Sequence, residues 1–396
     1  MIRSGGRQYV AASLISVLLA LSLPASADVV TEWNAKAANI CFDGKLGTPV
    51  ANRAMAIVQT AVHEAVKGSG NASPEAAVAA ANRSVLTALV PSQKDAIERD
   101  YQEALAPIAD GNAKVAGIAA GEKATAQVLE RRAGDGAAAA ESYRPATAAG
   151  IYVPTTIPAV PQWPQRKTWM LESPSQFRPG PPPALDSERW ARDYNEVKTL
   201  GAKNGSARTS EQTEIARFWE ATMPSIYYGV VRSVAEQPGR DVARNARLFA
   251  AVTQAMDDAI VAVFDAKYHY GFWRPITAIR NGDRDRSDAT ERNAAWSPFI
   301  ETPMHPEYPC AHCIIAATVG TIVQAEIGDS PTPTLTTSSD MVEGSMRSWK
   351  STEEFIQEVS DARIYDGVHY RNSAEVGTAM GRKIGALAVE KHFGTQ

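Results

Sequence analysis

Three separated clusters in this chain combine cations and imidazoles at spacings that suit a bound oxyanion. KYHYGFWRP sets Lys267 seven residues before Arg274, HPEYPCAHC leads to His312, and ARIYDGVHYRN sets Arg363 six residues before His369. A lysine and two arginines can offset the charge of a tetrahedral anion, one imidazole can bond its central atom, and the second can move protons. On an α-helix, Lys267 and Arg274 lie two turns apart on one face. Pro309 precedes CIIAATVGTIVQAEIG, an apolar run that reads as a buried helix. That places His312 at a helix N-terminus, where unpaired N–H groups attract anions. Arg363 and His369 cannot share a face of an unbroken helix, but Gly367 between them permits a turn. Each cluster alone is a weak signal. Together, in this order, they are specific.

The elements that must position these residues are helical. Apolar residues recur at three- and four-residue steps over 50–68, 74–90, 92–109 and 112–133, then over 187–201, 211–223, 245–270, 351–365 and 373–393. Ser92 reads as an N-cap for the third of these. Proline, alanine and glycine dominate 135–186, a long and stiff connection. No strand pair and no short repeat is evident. The fold expected is all-α, a helical bundle built as two packed bundles with a long Pro-rich loop. Its regions are 28–134, the connecting segment 135–186, and 187–396, which carries the oxyanion site.

MIRSGGRQ is basic, YVAASLISVLLALSLP is apolar, and Ala25-Ser26-Ala27 is a small-residue cleavage pattern. Residues 1–27 therefore read as a signal peptide cleaved after Ala27, with a periplasmic or secreted product. No later stretch is long and apolar enough to span a bilayer. A net charge of −4 argues against nucleic acid or an anionic membrane as partner and leaves small molecules. Three cysteines are too few for a disulfide-built scaffold. Cys310 and Cys313 form a C-x-x-C at a helix start, where a local disulfide suits an exported protein; with His305 and His312 a zinc site has a marginal ligand count. Cys41 reads as an unpaired thiol, and His63 and His392 as structural. Asp257 and Asp258, upstream of Lys267, would either pair with an active-site arginine or face solvent.

The clusters resemble those of the vanadium-dependent haloperoxidase and type-2 phosphatidic acid phosphatase superfamily. Its motifs run Lys-x6-Arg-Pro, Pro-Ser-Gly-His and Ser-Arg-x5-His. ANRAMAIVQTAVHEAV, SPSQFRPGPPPAL and ARLFAAVTQAMDDAIVAVFDAKYHYGFWRPITAIR are also similar to stretches of the soluble bacterial haloperoxidase-like subgroup. The resemblance implies an all-α fold and a vanadate cofactor, with inorganic phosphate able to occupy the same site. It implies that Lys267, Arg274 and Arg363 hold the oxygens, that His369 is the vanadate ligand or the phosphatase nucleophile, and that His312 is the acid–base group.

Cys310 and Ala311 stand where that family has serine and glycine, and Ala362 where it has the serine before the arginine. A thiol is a poor donor, so the contact from Cys310 is weakened, while the N–H of Ala311 remains available. His305 falls where the resemblance places phenylalanine in fungal chloroperoxidases and histidine in bromoperoxidases. It and Phe264 are candidates for positioning halide or tuning a proton. The function implied is an exported, vanadate-dependent oxidation of halide by hydrogen peroxide. Two alternatives use the same residues: a histidine-nucleophile acid phosphatase for phosphate monoesters, and a non-catalytic oxyanion-binding relative weakened at Cys310 and Ala311.

Overall fold

The computed structural model describes residues 28–394; the expected signal peptide lies outside them. The N-terminal half contains α1 (Val29–Asp43), α2 (Thr48–Gly68), α3 (Pro74–Leu89), α4 (Lys94–Leu105) and α5 (Asn112–Arg132). After the long connection come α6 (Glu188–Leu200), α7 (Ser210–Phe218), α8 (Ser225–Ala235), α9 (Val242–Tyr270), α10 (Pro275–Arg280) and α11 (Ala311–Ile327). The chain closes with β1 (Leu335–Ser338), β2 (Met346–Trp349), α12 (Thr352–Tyr365) and α13 (Arg371–Phe393). The fold is all-α. Side-chain caps mark several starts: Ser73 accepts from the Ala76 N–H, Asp241 from Arg244 and Ser351 from Glu354.

Packing makes α9 the shared wall of two helix groups. It lies against α2, which also meets α3 and α5, and against α11, which also meets α12 and α13. Nearly every residue of α9 from Ala250 to Lys267 is buried, on all faces, as a central helix requires. The last helix approaches α11 backbone to backbone along a row of glycines. A Cβ on Gly377 would lie 2.6 Å from the Cys310 carbonyl oxygen, and one on Gly381 2.2 Å from that of Ile314.

The Pro-rich connection is tied to α9 by buried charge. Arg166 pairs with Asp257 at 2.6 Å and Asp135 at 3.0 Å. Asp258 accepts the backbone N–H groups of Trp169, Met170 and Leu171 at 2.7, 2.8 and 3.0 Å. Asp257 and Asp258 therefore neither pair with a site arginine nor face solvent. They moor the connection.

Two other expectations need correction. β1 and β2 form an antiparallel pair, with Leu335 opposite Trp349, that packs on α8. Four residues per strand are too few for alternation to stand out in the sequence. Ser92 caps nothing: Pro91–Gln93 form a 3₁₀ turn, and α4 begins after Gln93 without a side-chain cap. Among the described residues, no helix is long and apolar enough to cross a membrane.

Candidate active site

Lys267 lies in the last turn of α9, which Gly271 ends in a left-handed conformation at φ +57°. Its Nζ is fully buried and donates to the carbonyl oxygens of Pro306 at 3.1 Å and Glu307 at 2.7 Å. Arg274 precedes α10 among the buried rings of Phe272 and Trp273. Its Nε donates to the His305 carbonyl at 3.0 Å and its Nη1 to that of Val368 at 2.7 Å. Nη1 also lies 3.3 Å from His369 Nε2, and Nη2 3.0 Å from His305 Nδ1.

Past α12 the chain reverses at Gly367, φ +83°, where a Cβ would meet the Gly201 carbonyl oxygen at 2.3 Å. That turn carries His369 back toward Arg363. The Nη1 of Arg363 donates to the Trp219 carbonyl at 2.6 Å and lies 2.8 Å from Asp366 Oδ2, while its buried Nε has no partner among the described residues. Nδ1 of His369 sits 2.7 Å from Glu307 Oε1, which also accepts the Tyr370 N–H at 3.2 Å. His312 is the second residue of α11, with Nε2 3.0 Å from the Ala221 carbonyl oxygen. A carbonyl only accepts, so Nε2 carries the proton and Nδ1 is left bare.

A cavity of about 300 Å³ joins these groups, bordered by His305, Ala311, His312, Arg363 and His369, with Phe264 in its wall. The ring of Phe264 meets His305 edge-on at 5.2 Å. Arg274 backs this cluster through its contacts with His305 and His369. The three sequence clusters thus converge, with one exception. The Cys310 side chain is fully buried, joined to Cys313 in a disulfide, and accepts the Cys313 N–H at 3.2 Å. It offers no contact to an oxyanion and no ligand to zinc, because its sulfur is turned back into its own helix. Cys41 is free and buried, and burial pushes its thiol up to about 12. His392 bonds Gln254 at 3.0 Å, and neither it nor His63 borders the cavity.

Burial and the local cations set the electrostatics. Burial, then Arg274 and Lys267, push His369 well below the ordinary imidazole range; burial and Arg363 do the same to His312. His305 is depressed by burial and by Lys267. Burial and Arg274 depress the Lys267 ammonium, and burial holds Arg274 down to about 10. Burial raises Glu307 to about 7 and Asp366 to about 6, against the pull of their cationic neighbours. Three cations face two carboxylates, which leaves room for an anion.

The sequence reading missed Glu307 and Asp366. Both lie inside the clusters already singled out, Glu307 between Pro306 and Tyr308 and Asp366 beside Gly367. An acid wedged among residues that bury was the available signal. An acid in an anion site looks misplaced until its cationic or imidazole partner is visible.

Residues 247–394 match the family described as the VCPO second helical-bundle domain. That segment, which carries all three site clusters, is therefore similar to the second helical bundle of vanadium haloperoxidases. Vanadium chloroperoxidase of Curvularia inaequalis is 29% identical over 147 residues, which cover 31% of this chain and 24% of that relative. The match thus spans about a quarter of the curated relative. The all-α architecture extends further than the sequence likeness. A bacterial vanadium-dependent iodoperoxidase superposes over 93% of this chain and 97% of its own, with a TM-score of 0.78 at 23% identity. A holo-type bacterial vanadium-dependent chloroperoxidase superposes over 88% and 94%, with a TM-score of 0.71 at 16% identity. Among the described residues no cluster of three or more histidine, cysteine, aspartate or glutamate side chains could hold a metal cation.

Proposed function

We propose that this chain is an exported enzyme that binds vanadate and uses hydrogen peroxide to oxidise a halide. One observation carries the reading: Glu307 holds the Nδ1 proton of His369, so an unprotonated Nε2 stands 3.3 Å from the Arg274 guanidinium, at a cavity that Arg363 also borders. The residues suit vanadate, because Arg363 has an unpartnered buried Nε and positive charge exceeds negative at the site. Bound there, vanadate supplies Lewis-acid activation of peroxide without changing its redox state.

The protein's own groups have separable tasks. His369 offers the lone pair that holds the anion. Arg363 presents its free Nε–H to an anion oxygen, and Lys267 and Arg274 keep the potential positive from behind. The bare Nδ1 of His312 takes a proton from an incoming acidic group and returns it to a leaving oxygen. With Cys310 turned away, the first N–H groups of α11, at Ala311 and His312, are the donors left at that edge. Export follows from the signal-like residues 1–27.

The deciding experiment assays purified protein with chloride, bromide and iodide plus hydrogen peroxide, with and without vanadate, beside p-nitrophenyl phosphate hydrolysis. Vanadate-dependent halide oxidation supports the proposal. Phosphatase turnover without halide oxidation replaces it with the histidine-nucleophile reading. Anion binding with neither activity leaves a non-catalytic relative.

A further inference from the structure

Cys310, Ala311, His312 and Cys313 set a C-x-x-C across the first turn of α11, a 17-residue helix with Cys310 at its N-cap. Ala311 and His312 border the anion cavity, and both cysteines beside them are fully buried. The proposed chemistry uses the first N–H groups of this helix and the His312 imidazole. It gives the sulfurs no task, although they belong to the same helical turn.

The charge on the Cys310 sulfur is what a bound anion would feel. In the disulfide that sulfur is neutral, and it accepts the Cys313 N–H at 3.2 Å. Reduced, a cysteine that opens a C-x-x-C at a helix N-terminus ionises well below the ordinary thiol range. Cys41 is the contrast within this chain: it lies near the C-terminal end of α1, where burial acts without a helix N-terminus and pushes the thiol up. The Cys310 sulfur also has no room to leave. It clusters with Cys313 and Ala374, and a Cβ on Gly377 would lie 3.2 Å from that of Cys313. A thiolate held there and an oxyanion at Ala311 and His312 would draw on the same helix N-terminus and repel each other.

We propose that the Cys310–Cys313 disulfide is a redox lock on the anion site: by cancelling the charge on Cys310 it lets the start of α11 receive an oxyanion, so the site becomes competent only where the chain folds under oxidising conditions. This rests on the oxyanion reading of the site and names its regulation. Because both sulfurs are fully buried, the bond is set while the chain folds. The oxidant is an exchange-competent protein disulfide. The Cys310 thiolate attacks one of its sulfurs and releases the other, and the Cys313 thiolate then displaces the partner from the mixed disulfide. The chain gives up two electrons and two protons, and the partner leaves as a dithiol.

Inorganic phosphate is the probe, titrated by calorimetry near neutral pH, because thiols reduce vanadate. The oxidised protein is expected to bind one phosphate. Cys313→Ala, which leaves Cys310 without a partner, should bind it about ten- to a hundredfold more weakly, the effect of one like charge within a helical turn. Cys310→Ala combined with Cys313→Ala has neither the bond nor the charge and should match the oxidised protein within about twofold. Protein refolded with a phosphine reductant should bind as weakly as Cys313→Ala and recover once reoxidised. Melting curves report whether each form is folded. Unchanged affinity in folded Cys313→Ala overturns the lock, and if that variant does not fold, a reduced protein that binds as tightly as the oxidised one does so instead. A double variant as weak as Cys313→Ala also overturns it, because the loss then follows the missing cross-link and not the charge. Absence of phosphate binding by the oxidised protein sinks the oxyanion reading, and the lock with it.

Discussion

Glu307 Oε1 lies 2.7 Å from Nδ1 of His369, and neither side chain reaches bulk solvent. The contact joins the second cluster to the third and fixes which imidazole nitrogen is bare. Glu307 also takes the Tyr370 N–H, so one carboxylate oxygen holds two buried donors.

Removing that carboxylate should therefore cost stability as well as function. Glu307→Ala leaves two donors unpaired beside Lys267 and Arg274, and is expected to lower unfolding free energy by about 3–5 kcal/mol. Denaturant melts of the variant and the parent read this directly. A loss within error would mean the contact contributes nothing net.

The two histidines should separate in function. Vanadate or inorganic phosphate at one hundred times its Kd should stabilise the folded state by about 2.7 kcal/mol, seen as a raised Tm. In His369→Ala this shift should shrink sharply and covalent attachment of the anion disappear. In His312→Ala the shift should persist while turnover falls about 10²- to 10⁴-fold, as for a lost acid–base group. Equal loss of binding in both variants contradicts these roles.

Without anion, His312 and His369 should stay neutral through the range in which an ordinary histidine titrates. Their folded values are depressed, so their contribution to stability is present above the unfolded value near 6.5 and is lost as pH falls through the folded values. Glu307 acts oppositely. Its folded value is raised from 4.5 to about 7, so its contribution is full below 4.5 and is lost as pH rises through about 7. Imidazole carbon resonances recorded from pH 8 to 6 should stay flat for both site histidines. A normal titration near 6.5 at either one would show that the cations do not act on it as described.

The Cys310–Cys313 disulfide should leave a single free thiol. Titration in denaturant before reduction is expected to detect Cys41 alone, and after reduction all three cysteines. Replacing Cys310 by Ser, Ala311 by Gly and Cys313 by Ala together would present a hydroxyl and a freer backbone to the anion. Vanadate-dependent halide oxidation should then rise by about tenfold, the worth of one hydrogen bond to a charged group. No gain would make the native substitutions neutral packing changes.

What the sequence determined by itself was local. A proline precedes the helix that carries His312, and Gly367 breaks the segment between Arg363 and His369. These follow from backbone geometry over a few residues, and so did most helices. Lys267 and Arg274 do not share a helix face as their seven-residue step suggested, because α9 ends at Tyr270 and Arg274 lies beyond the Gly271 turn, in extended backbone before α10. Tertiary structure alone decided which acids serve the site. Asp257 and Asp258 have the same local character as a site acid, but the Pro-rich connection claims them, while Glu307 and Asp366 take the imidazole and the guanidinium. The direction of the Cys310 sulfur was also settled by packing. Charge pairing and cavity shape depend on groups brought together from distant parts of the chain, and no spacing along the sequence encodes which of them will meet.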